Sequence, residues 1–144
     1  MIATDSLHAY AFCMLSVLPE PITVSAPVVT GAGRGRTIGV PTINLSLKTV
    51  PVSLRAGVYG ARVLLDGQTV MGAVHFGERP VFHDTTTLEV HIIDQVIEKA
   101  PAALQMDIVV RIRGIEKFAS VDDLLKAIHT DIDQIRDYFQ SHPL

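Results

Sequence analysis

A loop rich in glycine and arginine is the most chemically informative part of the sequence. Residues 31–44 read GAGRGRTIGVPTIN and hold four glycines and two arginines. Glycine lets the backbone approach a ligand closely and adopt positive φ, so successive N–H groups can enclose phosphate oxygens. Arginine can add charge-assisted hydrogen bonds. The loop therefore has the composition of a phosphate-binding site.

Two oxygen-bearing side chains follow the loop. Thr42 and Asn44 lie two positions apart where the next strand is predicted to begin. Because side chains alternate along a strand, both can face the same side and offer the oxygen ligands that Mg²⁺ prefers. A metal ion and phosphate groups would then sit together.

Two familiar phosphate-binding motifs do not fit this loop. The Lys-Ser/Thr pair that follows the last glycine of a P-loop is absent, and no helix is predicted to begin here, as a dinucleotide-binding fingerprint requires. Without further signals, a Gly/Arg-rich connection is more often a flexible turn. The pattern alone leaves both interpretations open.

Short β-branched runs separated by Gly, Pro and Asp dominate the middle of the chain, which is the pattern of antiparallel strands and turns. The predicted strands are Ala26–Thr30, Thr42–Leu47, Val58–Leu65, Thr69–Phe76, Thr86–Ile93 and Met106–Arg113. The pair Asp66-Gly67 predicts a type I′ hairpin turn. Several strands without long intervening helices predict a closed barrel.

Two of these strands alternate in polarity, which assigns their faces. In one strand, Leu88, Val90 and Ile92 share a face opposite Thr87, Glu89 and His91. In the last strand, the predicted faces are Met106, Ile108, Val110 and Ile112 against Asp107, Val109, Arg111 and Arg113. Glu89 therefore points away from the apolar side, where a strand glutamate is ordinarily inert.

The C-terminal part of the chain changes its period. After Ser120 the apolar residues recur every three or four positions, which predicts an α-helix over residues 120–140. Ser120 and Asp123 form a capping pair at its start. We expect this helix to pack on the outside of the barrel or at one of its ends, with its charged residues forming a solvated face.

Composition favours one domain over residues 1–144, with an N-terminal segment, 1–25, that could complete the barrel or cover an edge strand. The net charge of −3 and the lack of a basic cluster argue against nucleic-acid binding. The apolar run 9–18 is too short for a membrane span, and we interpret it as a strand or short helix. The single cysteine, Cys13, fits a reducing cytoplasm and a buried, inert thiol. Nothing indicates the oligomeric state.

The sequence resembles the riboflavin kinase family. Residues 31–44 match its nucleotide loop, Gly-x-Gly-Arg-Gly-Arg-x-Leu/Ile-Gly-x-Pro-Thr-x-Asn, and further family segments follow in the same order over about residues 26–139. They are Gly57-Val58-Tyr59, Phe76-Gly77-Glu78-Arg79-Pro80, Leu88-Glu89-Val90-His91-Ile92, and Arg113 to Phe118 before the terminal helix.

The resemblance implies a mainly β fold, a six-stranded antiparallel Greek-key β-barrel with a C-terminal α-helix packed outside. It implies transfer of a phosphoryl group from ATP to the 5′-hydroxyl of riboflavin, giving FMN and ADP. Mg²⁺ would be bound through Thr42 with Asn44 nearby, and Glu89 would be the general base. The implied nucleotide-binding residues are Gly31, Gly33, Arg34, Gly35, Arg36, Gly39, Pro41 and Thr42, and the implied flavin-side residues are Arg113 and Glu116.

Several positions depart from the family pattern. They are His75, Val81 and the segment Gln95–Pro101. These departures leave open a non-catalytic flavin- or nucleotide-binding module of the same fold, or a kinase for another small hydroxylated ligand or another nucleotide. The six histidines lack zinc-site spacing and are expected to be ordinary core or surface residues. Bacterial members often carry an adenylyltransferase domain, for which too few residues precede Ala26, so FAD synthesis is not expected.

Overall fold

The structure, a computed structural model, describes residues 15–31, 39–78 and 85–144. Its strands are β1 (Ser16–Val29), β2 (Ile43–Leu45), β3 (Gly57–Leu65), β4 (Gln68–Glu78), β5 (Thr86–Ile92) and β6 (Ala103–Arg113). One turn of 3₁₀-helix, Leu47–Thr49, follows β2, and helix α1 spans Val121–Ser141.

The six strands close into a barrel in the order β1-β2-β5-β4-β3-β6, and every paired neighbour is antiparallel. Strands β3, β4 and β5 form a meander, and β6 returns to lie beside β3, which is a Greek-key connection. The predicted six-stranded antiparallel Greek-key barrel is confirmed.

Apolar side chains from alternate positions of the strands fill the barrel. Val24, Val63, Val74, Val90 and Ile108 are each no more than 1% exposed and belong to one cluster. Because the side-chain direction repeats every two residues, the neighbours of these positions face outward. The filled interior leaves the outer surface of the barrel as the place for a site.

The turn between β3 and β4 has the predicted geometry. Asp66 and Gly67 have φ of 50° and 78°, and they connect the paired residues Leu65 and Gln68. Positive φ at both central positions defines a type I′ turn, whose twist matches that of the flanking strands. The hairpin prediction is confirmed.

Strand β1 is much longer than the predicted Ala26–Thr30. Its pairing with β6 begins at Ser16 and is irregular between Val17 and Ile22. Pro19 and Pro21 occupy this irregular stretch, and proline, which has no N–H to donate, is tolerated where ladder pairing is interrupted. Residues 16–25 therefore complete the barrel, whereas residues 1–14, including Cys13, lie outside the described part of the chain.

The predicted facing of β6 is wrong beyond Ile108. Its register with β3 shifts twice along the strand, and a bulge inserts an extra residue that changes which face the following side chains occupy. Met106 and Ile108 consequently pack inside the barrel. Val110 and Ile112 join a second cluster with α1 instead.

The second strand ends earlier than predicted, at Leu45 rather than Leu47. The chain turns there into the short 3₁₀-helix, and the Ser46 hydroxyl accepts a hydrogen bond from the Lys48 N–H at 3.3 Å. Such local side-chain bonds compete with strand pairing. On the other side of β1, β6 begins at Ala103, three positions before the predicted start.

Helix α1 packs on the outside of the barrel, as predicted. The Ser120 hydroxyl accepts a hydrogen bond from the Asp123 N–H at 3.1 Å and caps the first turn. Ile132, Ile135 and Phe139 are buried against β4 and β6. Among the described residues, no helix has the length and apolarity needed to cross a membrane.

Gly60→Ala is expected to destabilise the protein by about 1–2 kcal/mol, because the added methyl group overpacks the contact between α1 and the barrel. A Cβ at Gly60 would lie 2.7 Å from Val110 Cγ1 and 3.3 Å from Ile135 Cγ1. Chemical denaturation measures the change. Gly114→Ala is the control, since its Cβ would meet only the Arg111 guanidinium at 3.5 Å. Equal stability of the two variants would contradict this account of the helix packing.

Candidate functional site

A row of side chains crosses the outer face of the barrel through the pairing register. Asn44 on β2 is opposite Glu89 on β5, and Glu89 is opposite His75 on β4. The row continues through Val58 on β3 to Arg113 on β6. Directly opposed residues of antiparallel strands have Cβ atoms about 5 Å apart, so polar groups from distant parts of the chain become neighbours.

Glu89 is the second member of this row and is held by two hydroxyl groups. Thr42 Oγ1 donates to Glu89 Oε1 at 3.1 Å, and Thr87 Oγ1 donates to Glu89 Oε2 at 3.0 Å. Within the described residues, each carboxylate oxygen therefore has one side-chain donor, which leaves a lone pair for another group. The half-buried carboxylate is oriented yet still able to accept a proton.

Gly31 and Asn44 are in close contact at the start of the glycine- and arginine-rich loop. A Cβ built on Gly31 would overlap the Asn44 side-chain amide and approach its Oδ1 to 2.9 Å. Only glycine leaves room for the amide in this position. Asn44 in turn lies opposite both Val29 and Glu89, so the loop begins beside the carboxylate.

The other end of the loop returns to the same place. Gly39 has φ of 87° and is exposed, and Thr42 is hydrogen bonded to Glu89. The Pro41 carbonyl oxygen lies 2.7 Å from His91 Nδ1. The structure thus brings Gly31, Thr42 and Asn44 together with Glu89. Gly33, Arg34, Gly35 and Arg36 lie outside the described residues.

A depression adjoins this group beside β2 and β5. The segment after β5, which departs from the family pattern, forms part of its wall. Its lining residues are Pro41, Thr42, Ile43, Val90, His91, Ile92, Gln95, Ile97 and Ala100. Thr42 therefore contributes to both the carboxylate cluster and the depression.

Arg113 lies at the far end of the row and is engaged by α1. Its Nε donates to Asp131 Oδ1 and its Nη2 to Asp131 Oδ2, both at 2.9 Å, and Nη1 donates to the Gly114 carbonyl at 3.1 Å. The guanidinium also lies over the Phe118 ring. Glu116 is exposed on the same segment. Arg113 thus links the end of β6 to α1 and to residues 114–118.

The Asp131 carboxyl is buried, and this burial raises its pKa above the ordinary value. The hydrogen bonds and positive charge of Arg113 oppose this increase in the pKa but do not cancel it. The side chains of Arg113 and Asp131 are only 17% and 8% exposed. Removing either side chain would therefore leave the other buried without its ion-pair partner.

The oxygen atoms around Glu89 fit a magnesium ion. In the stretches 15–31, 39–78 and 85–144, no three His, Cys, Asp or Glu residues cluster as a metal-binding group. The site instead offers a hydroxyl, an amide and one carboxylate. Mg²⁺ commonly uses one or two protein oxygens together with substrate phosphates and water.

Thr87 and His91 are site residues to which sequence reasoning gave no role. The alternation along β5 placed both on the face of Glu89, but it gave no partner for either. Their hydrogen bonds with Glu89 and with the Pro41 carbonyl become visible only in the structure. The i, i+2 spacing of polar residues around Glu89 was the available signal.

The fold and the site define a small Greek-key barrel with a hydroxyl-bound carboxylate at the ends of a glycine-rich loop. The riboflavin kinase family model, Flavokinase, matches residues 18–139. The bifunctional riboflavin kinase/FMN adenylyltransferase of Escherichia coli strain K12 is 36% identical over 126 residues, covering 86% of this chain and 40% of that protein. The chain belongs to the riboflavin kinase family, as its motifs predicted, and spans about two fifths of that relative's length.

Solved structures agree on the fold. A riboflavin kinase from Trypanosoma brucei superimposes with a TM-score of 0.60 at 24% identity, over 84% of this chain and 81% of that one. A protein from Streptococcus pneumoniae described as a macrolide-efflux protein gives a TM-score of 0.70 at 31% identity, over 81% of this chain and 38% of that one.

Arg113→Met is expected to lower the free energy of unfolding by about 3 kcal/mol near pH 7, because it leaves a buried carboxylate without its cation. The variant also loses the hydrogen bonds that lower the pKa of Asp131. A carboxyl whose pKa is raised in the folded state favours folding when protonated, so the deficit should shrink as the pH falls towards about 5. Urea denaturation at both pH values measures this.

Arg136→Met is the matched control for Arg113→Met. Arg136 pairs with Asp94 and Asp133, but its side chain is 42% exposed. Exposed ion pairs contribute at most about 1 kcal/mol. An Arg113 variant that is no less stable than the Arg136 variant would refute the assigned role of the buried pair.

Proposed function

We propose that this chain transfers the γ-phosphoryl group of Mg-ATP to the 5′-hydroxyl of riboflavin, giving FMN and ADP. The observation that carries the proposal is the 3.1 Å hydrogen bond from Thr42 to Glu89, which joins the end of the glycine- and arginine-rich loop to a carboxylate. Family membership supports the same activity. A phosphate-binding loop and a base in contact are the two parts that this reaction requires.

Glu89 is the general base of the proposed reaction. The riboflavin 5′-oxygen forms a bond to the γ-phosphorus while the bond from that phosphorus to the β,γ-bridging oxygen breaks, and the hydroxyl proton passes to Glu89. The Thr42 and Thr87 hydroxyls hold the carboxylate while a lone pair remains available on each oxygen. Proton removal and positioning are the protein's main contributions, since phosphoryl transfer needs no covalent intermediate here.

Thr42 and Asn44 hold the magnesium ion in this proposal. Bound Mg²⁺ would neutralise charge on the phosphate oxygens. The Thr42 oxygen can offer a lone pair to the cation while its hydrogen remains bonded to Glu89. The rest of the loop completes the nucleotide site. Its glycines let backbone N–H groups approach the phosphates closely, and its arginines add positive charge. The residues are Gly31, Gly33, Arg34, Gly35, Arg36, Gly39 and Pro41.

The flavin side of the proposed site extends from Glu89 towards α1. Support comes from the row of opposed residues, in which His75 and Val58 lie between Glu89 and Arg113. Arg113 acts here by holding residues 114–118 in place, and Glu116 provides an exposed polar group on that segment. Riboflavin would then lie along the outer face of the barrel with its hydroxyl chain directed at Glu89.

The activity is tested by incubating the purified chain with riboflavin, Mg²⁺ and ATP and detecting FMN by chromatography. Formation of FMN that requires all three components supports the proposal. Saturable flavin or nucleotide binding without turnover would instead identify the chain as a binding module. The segment Gln95–Pro101 is the structural reason to test for this outcome, because it departs from the family pattern and lines the depression beside Thr42.

Glu89→Gln is expected to lower kcat by about 10²–10⁴-fold while the affinities for riboflavin and Mg-ATP stay close to those of the wild type. The amide preserves the shape of the side chain but cannot accept the hydroxyl proton. FMN formation and separate binding titrations measure the two effects. Glu20→Gln, at an exposed position of β1, is the control and should leave kcat unchanged. Full activity of the Glu89 variant would exclude its role as base.

Gly31→Ala is expected to weaken Mg-ATP binding by about tenfold, because the methyl group displaces the Asn44 amide that lies against Gly31. Calorimetric titration with Mg-ATP measures the change in Kd. Thr30→Ala alters the preceding exposed residue and serves as the control. If both variants bind Mg-ATP like the wild type, Asn44 has no part in the nucleotide site.

A further inference from the structure

His91 makes a side-chain contact that defines its protonation pattern. Its Nδ1 atom lies 2.7 Å from the Pro41 carbonyl oxygen. A carbonyl oxygen only accepts hydrogen bonds, so Nδ1 must carry the proton. In the neutral ring Nε2 is then the unprotonated nitrogen. The side chain also lines the depression beside Thr42.

The Pro41 carbonyl lies just beyond the regular pairing of β2 with β5. The register pairs Ile43 with Val90 and Asn44 with Glu89, and β2 begins only at Ile43. A backbone carbonyl beyond the end of a strand needs another donor if it is not left to water. The imidazole of His91 supplies that donor and extends the attachment of the chain to β5 by a side-chain bond.

Strand β5 thereby holds two consecutive residues of the loop. Glu89 accepts from the Thr42 hydroxyl, and His91, two positions along on the same face, donates to the Pro41 carbonyl. One bond is accepted by the carbonyl of the Pro41–Thr42 peptide, and the other is donated by the Thr42 side chain. Together they fix both the position of Thr42 and its direction.

We propose that His91 is a positioning residue of the nucleotide site, which acts by holding the Pro41–Thr42 peptide so that the Thr42 oxygen points at the cation of Mg-ATP. This inference rests on the proposed role of Thr42 in the nucleotide site. It assigns to His91 an effect on nucleotide affinity that operates through the backbone. Riboflavin binding does not depend on it.

Two nearly isosteric variants separate the hydrogen bond from the bulk of the ring. His91→Leu removes the donor, and His91→Asn retains an N–H close to the position of Nδ1. The Leu variant is expected to raise the Kd for Mg-ATP about three- to tenfold, the usual effect of one lost hydrogen bond, with the riboflavin Kd unchanged. The Asn variant is expected to restore the Mg-ATP Kd to within about twofold of the wild type.

His129→Leu, at an exposed position of α1, controls for loss of a histidine elsewhere. Thermal unfolding of every variant shows whether a loss of affinity merely reflects loss of folded protein. Equal Mg-ATP affinities of the Leu variant and the wild type would overturn the inference. So would an Asn variant as weak as the Leu variant, because the N–H group would then have no effect.

The tautomer of the His91 imidazole can be measured independently of ligand binding. The ¹⁵N resonances of His91 in the ligand-free protein, in slightly alkaline buffer, should show Nδ1 protonated and Nε2 unprotonated. The opposite tautomer would overturn the inference. Neither this spectrum nor the Mg-ATP Kd requires turnover. A wild-type chain that forms no FMN but shows the expected tautomer and the Leu/Asn difference would therefore refute the proposed kinase activity and leave the positioning role of His91 standing.

Discussion

The alternation of side chains along β5, in a barrel closed on all sides, is the constraint on which the rest of the structure depends. Leu88, Val90 and Ile92 are no more than 3% exposed because they fill the interior. Their neighbours Glu89 and His91 must then face outward. Closure removes the freedom to slip by one residue, since a slip would exchange the apolar and polar faces. The same packing that stabilises the barrel therefore orients the carboxylate.

The parts of the fold that follow local rules could be predicted from the sequence. The Asp66-Gly67 turn, the faces of β5 and the Ser120 cap each depend on a few adjacent residues, and all three are confirmed. The extent of β1 and the facing of β6 depend on pairing between distant segments. The irregular pairing around the prolines of β1 and the register shifts of β6 against β3 are set by the partner strands, so periodicity alone could not reveal them.

In the candidate site, too, some residues could be predicted from the sequence and others could not. Residue types and family motifs pointed to Thr42, Asn44 and Glu89, and the structure brings these three together where the loop enters β2 beside β5. The supporting bonds made by Thr87 and His91 depend on the geometry of those strands, which no spacing rule contains. The family motif also includes Arg113, but its buried ion pair with Asp131 of α1 could not be predicted from the motif.

The pairing of β1 with β6 joins segments that are far apart in the sequence, with Ser16 beside Arg111. Contacts separated by this many residues form slowly, because a long loop must be closed before they contribute. During synthesis on a ribosome, β1 has no partner on that side until β6 has emerged. The outer surface that holds Glu89 is therefore completed only when the ring closes.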